Sequence, residues 1–148
     1  HDALIGGESS GGLTVRGHIS GKDGLYAASL LVEMVSVTRK PLSALLREIN
    51  DAFGAMYMAE YDWALTPQSR QSIHDRVMVQ KSLPDFGVHV QKVSYLDGCK
   101  VYFDEGFIIT RFSGTEPRVR IFAEMPTREQ ARDLVRRMAE FTSLPFED

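Results

Sequence analysis

Two short stretches of this chain gather residue types that could do chemistry. The first is Gly7-Glu8-Ser9-Ser10-Gly11-Gly12, a carboxylate and two hydroxyls set between glycines. Glycine lets a backbone take positive φ and approach a ligand closely, while the polar side chains between can accept from and donate to neighbouring hydroxyls, such as those of a sugar. A Gly/Ser-rich run also makes an ordinary turn, and composition by itself does not separate the two readings. The Gly-Lys-Ser/Thr ending of a nucleotide-binding P-loop is absent. The second stretch is Arg111-Phe112-Ser113-Gly114-Thr115-Glu116-Pro117-Arg118-Val119-Arg120. Successive N–H groups around Ser113, Gly114 and Thr115 could form an anion nest, with Arg111 and Arg120 clamping a dianionic phosphate. The competing reading is a solvated hairpin whose arginines pair with Glu116 and Glu124.

Both stretches need elements to hold them. Ala3-Leu4-Ile5 reads as the stub of a buried strand ending in the first glycine loop. After it, Asp23 is placed to cap a helix over Leu25–Val35 that is apolar nearly all round and so is expected in a core. Pro41 opens a second helix, with Leu42, Leu45, Leu46, Ile49 and Phe53 at helical spacing and Gly54 as its stop. A strand over Met56–Trp63 and a polar helix from Pro67 to about Ser82 follow. Short strands are then expected at Val88–Tyr95, Lys100–Phe103, Phe107–Phe112 and Val119–Glu124, joined by Asp97-Gly98 and Asp104-Glu105-Gly106 turns. Strand alternation sets Arg118 and Arg120 opposite Val119 and Ile121. A capping box, Thr127 with Gln130, starts a last helix with a stripe of Ala131, Leu134, Val135 and Met138. The expected fold class is therefore α+β. Residues 1–54 form a truncated first unit, and residues 55–148 an antiparallel sheet with helices on one face.

Composition narrows the functions. The 148 residues are 43% hydrophobic and 25% charged, which fits a folded globular chain rather than a disordered or disulfide-stapled one. With 17 basic and 20 acidic residues the net charge is −3, so no global positive field holds a polyanion and any anion site must be local. Nucleic-acid binding through Arg111, Arg118 and Arg120 is disfavoured on that charge and on the lack of interleaved aromatic side chains for base stacking. No apolar run approaches the roughly 20 residues that a bilayer span needs, so no membrane partner is expected. The lone Cys99 fits a reducing, cytoplasmic setting.

The motifs taken together are more specific than either loop. Gly-Glu-x-Ser-Gly, then Gly17-His18-Ile19-Ser20-Gly21-Lys22-Asp23-Gly24, and later Arg-x-Ser-Gly-Thr-Glu-Pro-x-x-Arg resemble the C-terminal third of the α-D-phosphohexomutases, the phosphoglucomutase/phosphomannomutase family. The resemblance covers almost the whole chain. It implies the end of an α/β/α third domain followed by a complete, TATA-binding-protein-like fourth domain. It also implies that Glu8 and Ser10 contact the 3- and 4-hydroxyls of a hexose, and that Arg111, Ser113, Gly114, Thr115 and Arg120 bind a phosphate. His18 and Lys22 fall where the family often has active-site residues, which makes them candidates for a general acid/base role. For His18 a ring satisfied by local hydrogen bonds is the alternative. His74, Asp75 and His89 match no functional position.

By the same resemblance the whole enzyme would move a phosphoryl group between O1 and O6 of a hexose through a phosphoserine and a hexose 1,6-bisphosphate, with Mg2+. The phosphoserine loop and the Asp-x-Asp-x-Asp metal loop are not in this sequence. The expectation is thus a piece of a chain roughly three times longer, binding hexose phosphate alongside its own N-terminal domains, holding no metal itself and inactive alone. The alternative is a stand-alone phosphosugar-binding module. Position 12 carries Gly where some members of the family have His.

Overall fold

The computed structural model describes residues 2–8 and 11–147, and the chain divides into two compact units, His1–Ala52 and Phe53–Asp148. In the first, β1 (Ile5–Gly7) and β2 (Leu13–Val15) form a two-stranded antiparallel ribbon with Gly6 opposite Thr14. The helix α1 (Gly24–Thr38) starts where Asp23 Oδ1 accepts from the Leu25 and Tyr26 amides. It stops at Arg39, whose φ of 54° breaks the helical path while its N–H still reaches the Val35 carbonyl. A second helix, α2 (Leu42–Phe53), follows Pro41, and Gly54 at φ 87° turns the chain away.

Two expectations for this unit are corrected. The stub at Ala3–Ile5 is not a buried strand: Leu4 and Ile5 are 70% and 60% exposed, and among the described residues the strand pairs with β2 alone. Nor is α1 a core helix, since none of its residues is buried and Leu25 is 84% exposed. The apolar pattern marks a surface that wants a cover, but burial also needs a second layer, and the described residues of this unit provide none for α1.

The second unit does bury a core. Its sheet runs in the order β3 (Tyr57–Ala64), β7 (Arg118–Met125), β6 (Gly106–Phe112), β5 (Cys99–Phe103), β4 (Val90–Ser94), every neighbour antiparallel. Strand alternation sends Val101, Ile108, Val119, Ile121 and Ala123 inward, all fully buried. The helix α4 (Arg128–Phe141) covers that face with Ala131, Leu134, Val135, Met138 and Ala139. Its reciprocal Thr127–Gln130 capping box is the one the sequence predicts. Ahead of β4, α3 (Pro67–His74), capped by Thr66, adds Ile73 to the same core. The expected continuation of α3 to Ser82 is replaced by a π-helical turn, Asp75–Val79, which swings Val77 fully into the core. The first strand of the meander is also shorter than Val88–Tyr95, running Val90–Ser94 with a register shift between Val90 and Lys92.

Candidate functional site

The outer face of the second unit's sheet carries the arginines. Antiparallel register places Arg111 of β6 directly opposite Arg120 of β7, and Arg120 directly opposite Asp62 of β3. Cross-strand partners have Cβ atoms about 5 Å apart, so two like charges face each other and would repel if left alone. Carboxylates relieve this. Arg120 pairs through Nε with Glu60 at 3.1 Å and through Nη2 with Asp62 at 3.7 Å. Arg111 pairs through Nε with Asp97 at 3.2 Å. Arg118 reaches Asp62 and Glu116, both at 3.4 Å. All three arginine side chains remain close to half exposed.

Asp97 is delivered by the turn between β4 and β5. Gly98 has φ 78°, and a Cβ there would stand 2.5 Å from the Thr110 carbonyl oxygen. Only glycine lets this turn lie flat against β6 and bring Asp97 to Arg111. In the sequence Asp97-Gly98 reads as a turn alone, and Glu124, rather than Glu60, Asp62 and Asp97, is the arginine partner expected beside Glu116. The Glu124 pairing is not what the structure shows. The alternation Glu60-x-Asp62 within a strand was the available signal: it puts both carboxylates on one face, but not which face or which neighbour.

Between β6 and β7 the loop of Ser113, Gly114 and Thr115 is shaped largely by its own hydrogen bonds. Ser113 N–H donates to the Arg118 carbonyl at 2.9 Å, while Ser113 Oγ accepts from the Thr115 and Glu116 amides at 3.4 and 3.2 Å. Those donors therefore serve the turn rather than standing open as the expected nest. The Gly114 amide has no partner among the described residues, and a Cβ there would point into open space.

The glycine loop of the first unit links β1 to β2. Glu8 N–H donates to the Gly12 carbonyl and Gly11 N–H donates to the Glu8 carbonyl, both at 2.9 Å, with Gly11 at φ 86°. The Glu8 carboxylate meets Lys22 Nζ at 2.8 Å, so the loop joins an acceptor and a donor at its surface. Ser10 lies outside the described residues. His18 is held locally: Nε2 is 2.8 Å from Asp23 Oδ2, and its ring stacks on Tyr26 with centroids 4.1 Å apart. The His18 hydrogen bond, followed by that from the Tyr26 amide, holds the Asp23 carboxyl below the usual aspartate range. Glu8 and Lys22 thus meet at the loop end of the ribbon and His18 is held by Asp23 and Tyr26, whereas His74 and His89 belong to the other unit.

The metal that the family resemblance implies does not fit these residues: among those described, no three His, Cys, Asp or Glu side chains gather to hold an ion. No helix among them is long and apolar enough to cross a membrane.

Residues 1–53 match the α/β/α domain III of phosphoglucomutase/phosphomannomutase, and residues 35–141 match the C-terminal domain of the same family. The chain belongs to the phosphoglucomutase/phosphomannomutase family. Phosphoglucomutase/phosphomannomutase from Thermococcus kodakarensis is 30% identical over 135 residues, spanning 90% of this chain and 27% of that one. A probable phosphoglucosamine mutase from Pyrococcus furiosus is 28% identical over 137 residues, 93% of this chain and 28% of the relative. In structure, a putative phosphomannomutase from Thermus thermophilus superposes with a TM-score of 0.67 at 26% identity, over 95% of this chain and 26% of that one. This phosphohexomutase chain therefore spans about a quarter of the length of these relatives, less than the third expected from its motifs.

Proposed function

We propose that the chain is the sugar- and phosphate-binding C-terminal part of a phosphohexomutase that interconverts hexose 1-phosphate and hexose 6-phosphate, of glucose, mannose or both. Its two parts divide near residue 54. The observation that carries this reading is the facing pair Arg111 and Arg120, anchored by Asp97, Glu60 and Asp62 beside the Ser113–Thr115 loop. A reaction that turns a bisphosphorylated sugar over in one site needs a clamp for whichever phosphate is not reacting. It also needs a sugar grip that serves both orientations. Arg111, Arg120, the Gly114 amide and the Ser113 and Thr115 hydroxyls supply the clamp, and Glu8 with Ser10 supplies the grip.

Exposed ion pairs contribute little, about 0–1 kcal/mol each. An incoming phosphate dianion can therefore displace a carboxylate from an arginine at small cost while the remaining contacts keep the guanidinium aimed. Binding energy from the distal phosphate would then position the reacting one. His18, stacked and hydrogen-bonded, and Lys22 beside Glu8 are the candidates for moving a proton at the sugar. The nucleophilic serine and the Mg2+ site would come from other parts of a longer chain, whose remaining domains would also cover the open flanks of α1 and α2. These residues alone would bind hexose phosphate and catalyse nothing.

A charged hydrogen bond is worth about 1.5–3 kcal/mol, so Arg111→Ala should weaken hexose 6-phosphate binding about 10- to 150-fold by calorimetric or NMR titration. Unchanged affinity would remove the β6–β7 loop from the ligand site. Robust mutase turnover by the 148-residue chain would overturn its assignment as a binding part only.

A further inference from the structure

Among the described residues, Asp62 is the one carboxylate beside the facing arginines that is shared between two of them. Its Oδ2 stands 3.4 Å from Arg118 Nη1 and 3.7 Å from Arg120 Nη2, whereas Glu60 meets Arg120 alone and Asp97 meets Arg111 alone. Strand register explains the sharing. Asp62 lies opposite Arg120, while Arg118 lies opposite Ala64, which offers it no charge, so its guanidinium turns to the diagonal neighbour Asp62. Arg118 is itself held by the β6–β7 loop. Its N–H donates to the Glu116 carbonyl at 2.8 Å, its carbonyl accepts from Ser113 N–H at 2.9 Å, and its Nε reaches Glu116 Oε2 at 3.4 Å. A row of alternating charges, Glu60, Arg120, Asp62, Arg118 and Glu116, thus joins β3 to the loop. With Asp97 on Arg111, these carboxylates leave the arginines no surplus positive charge, and a phosphate gains an arginine only where a carboxylate gives way.

We propose that Asp62 is the carboxylate that gives way: as a phosphate takes Arg120 Nη2, Asp62 closes on Arg118 and so keeps a partner. The inference rests on the reading of Arg111 and Arg120 as a phosphate clamp. Little movement is needed, because the 3.4 Å contact with Arg118 has only to shorten to about 2.8 Å, the usual length of a charge-assisted N–H···O bond. Glu60 meanwhile stays on Arg120 Nε and keeps the guanidinium aimed. Glu60 and Asp97 have no such exchange open to them, since each would leave its one arginine for water. The same handover works in reverse. Asp62 competes with the phosphate for Arg120, which suits a clamp that must release a bisphosphorylated sugar in mid-reaction. Asp62 and Arg118 are thus positioning residues that act through Arg120.

The test is a double-mutant cycle in the 148-residue chain at low salt, with glucose 6-phosphate and inorganic phosphate each titrated against the Gly114 amide signal. Asp62→Asn removes the competitor and should tighten binding about five-fold, the effect of a unit charge roughly 8 Å from a dianion in water, fading as salt is added. Arg118→Met leaves Asp62 with Arg120 alone and should weaken binding. With Asn at position 62 there is nothing to hand over, so the loss caused by Arg118→Met should be about three-fold or more smaller in that background. Loss of the Arg118 charge, or a disturbed loop, would act equally in both backgrounds, and equal losses would overturn the proposal. Arg118→Lys, which keeps a cation for Asp62, should restore most of the affinity. If neither phosphate moves the Gly114 signal, or if Arg120→Ala binds as tightly as wild type, the clamp reading fails first and takes the proposal with it.

Discussion

Arg111 and Arg120 show how a pair of like charges can be built into adjacent strands. Their register forces them together, and three carboxylates from β3 and the β4–β5 turn offset the repulsion. Gly98 is the residue on which this arrangement depends most. Its φ of 78° and the 2.5 Å approach of Thr110 O to a would-be Cβ leave no room for any side chain. Gly98→Ala should therefore cost about 1–3 kcal/mol, read as a lower urea midpoint with unchanged slope. It should also move Asp97 from Arg111, which a weakened phosphate titration would report separately. Cys99, next along, is buried and its thiol is pushed up by desolvation, so thiol reagents should react with it only upon unfolding.

The helices differ in what holds them. In α4, Thr127 and Gln130 satisfy the first turn while five small or apolar residues bury against the sheet, and Thr127→Ala should cost about 1 kcal/mol in the unfolding of the second unit. Asp133 of α4 is pushed up by burial, but hydrogen bonds from Arg137 and Arg136 outweigh that and leave its carboxyl below the usual range. The helix α1 instead relies on its ends. Asp23, held low by His18 and the Tyr26 amide, accepts from the Leu25 and Tyr26 N–H groups at full strength only when ionised. A depressed folded-state pKa means that this stabilisation is present above the unfolded aspartate value of about 3.9 and is lost as pH falls through the lower folded value. Acidification below about pH 4 should therefore fray the start of α1, seen in the Leu25 and Tyr26 amide signals. Asp23→Asn should lose most of that pH dependence.

The two units have unequal means of staying folded. The second has a sheet, a covering helix and a continuous buried cluster from Leu65 to Leu144. The first has a three-residue ribbon and two helices whose residues are nowhere buried, with Leu25, Val32, Val37, Leu46 and Phe53 more than half exposed. Area removed from water is the main driving term in folding, so the second unit should be the more stable by a wide margin. Urea should accordingly produce a late cooperative transition reported by Trp63, whose indole donates to the Pro145 carbonyl at 2.7 Å, and an earlier loss of helical signal from α1 and α2. Residues 53–148 expressed alone should keep the Trp63 midpoint. Met138→Ala, which empties a fully buried position, should lower that late transition by about 2–5 kcal/mol and leave the early one in place.

Local patterns in the sequence were enough to determine most of the second unit's elements, though not the end of α3 or the bounds of β4. Thr127–Gln130, Asp97-Gly98 and the alternation around Val119 and Ile121 are short-range signals that cap, turn and strand geometry read directly. The two loops were legible for the same reason, because their hydroxyls, glycines and arginines are contiguous. Three things were decided only in the tertiary structure. Burial of α1 depended on a second layer that its own apolar pattern cannot supply, and the π-helical turn at Asp75–Val79 arose where packing of Val77 overrode local helical geometry. The partners of Arg111 and Arg120 depended on strand order, which brings Asp62 from 58 residues upstream of Arg120 to sit directly opposite it. Charge pairing and burial are properties of neighbours in space, and a sequence names the residues long before it says which of them will meet.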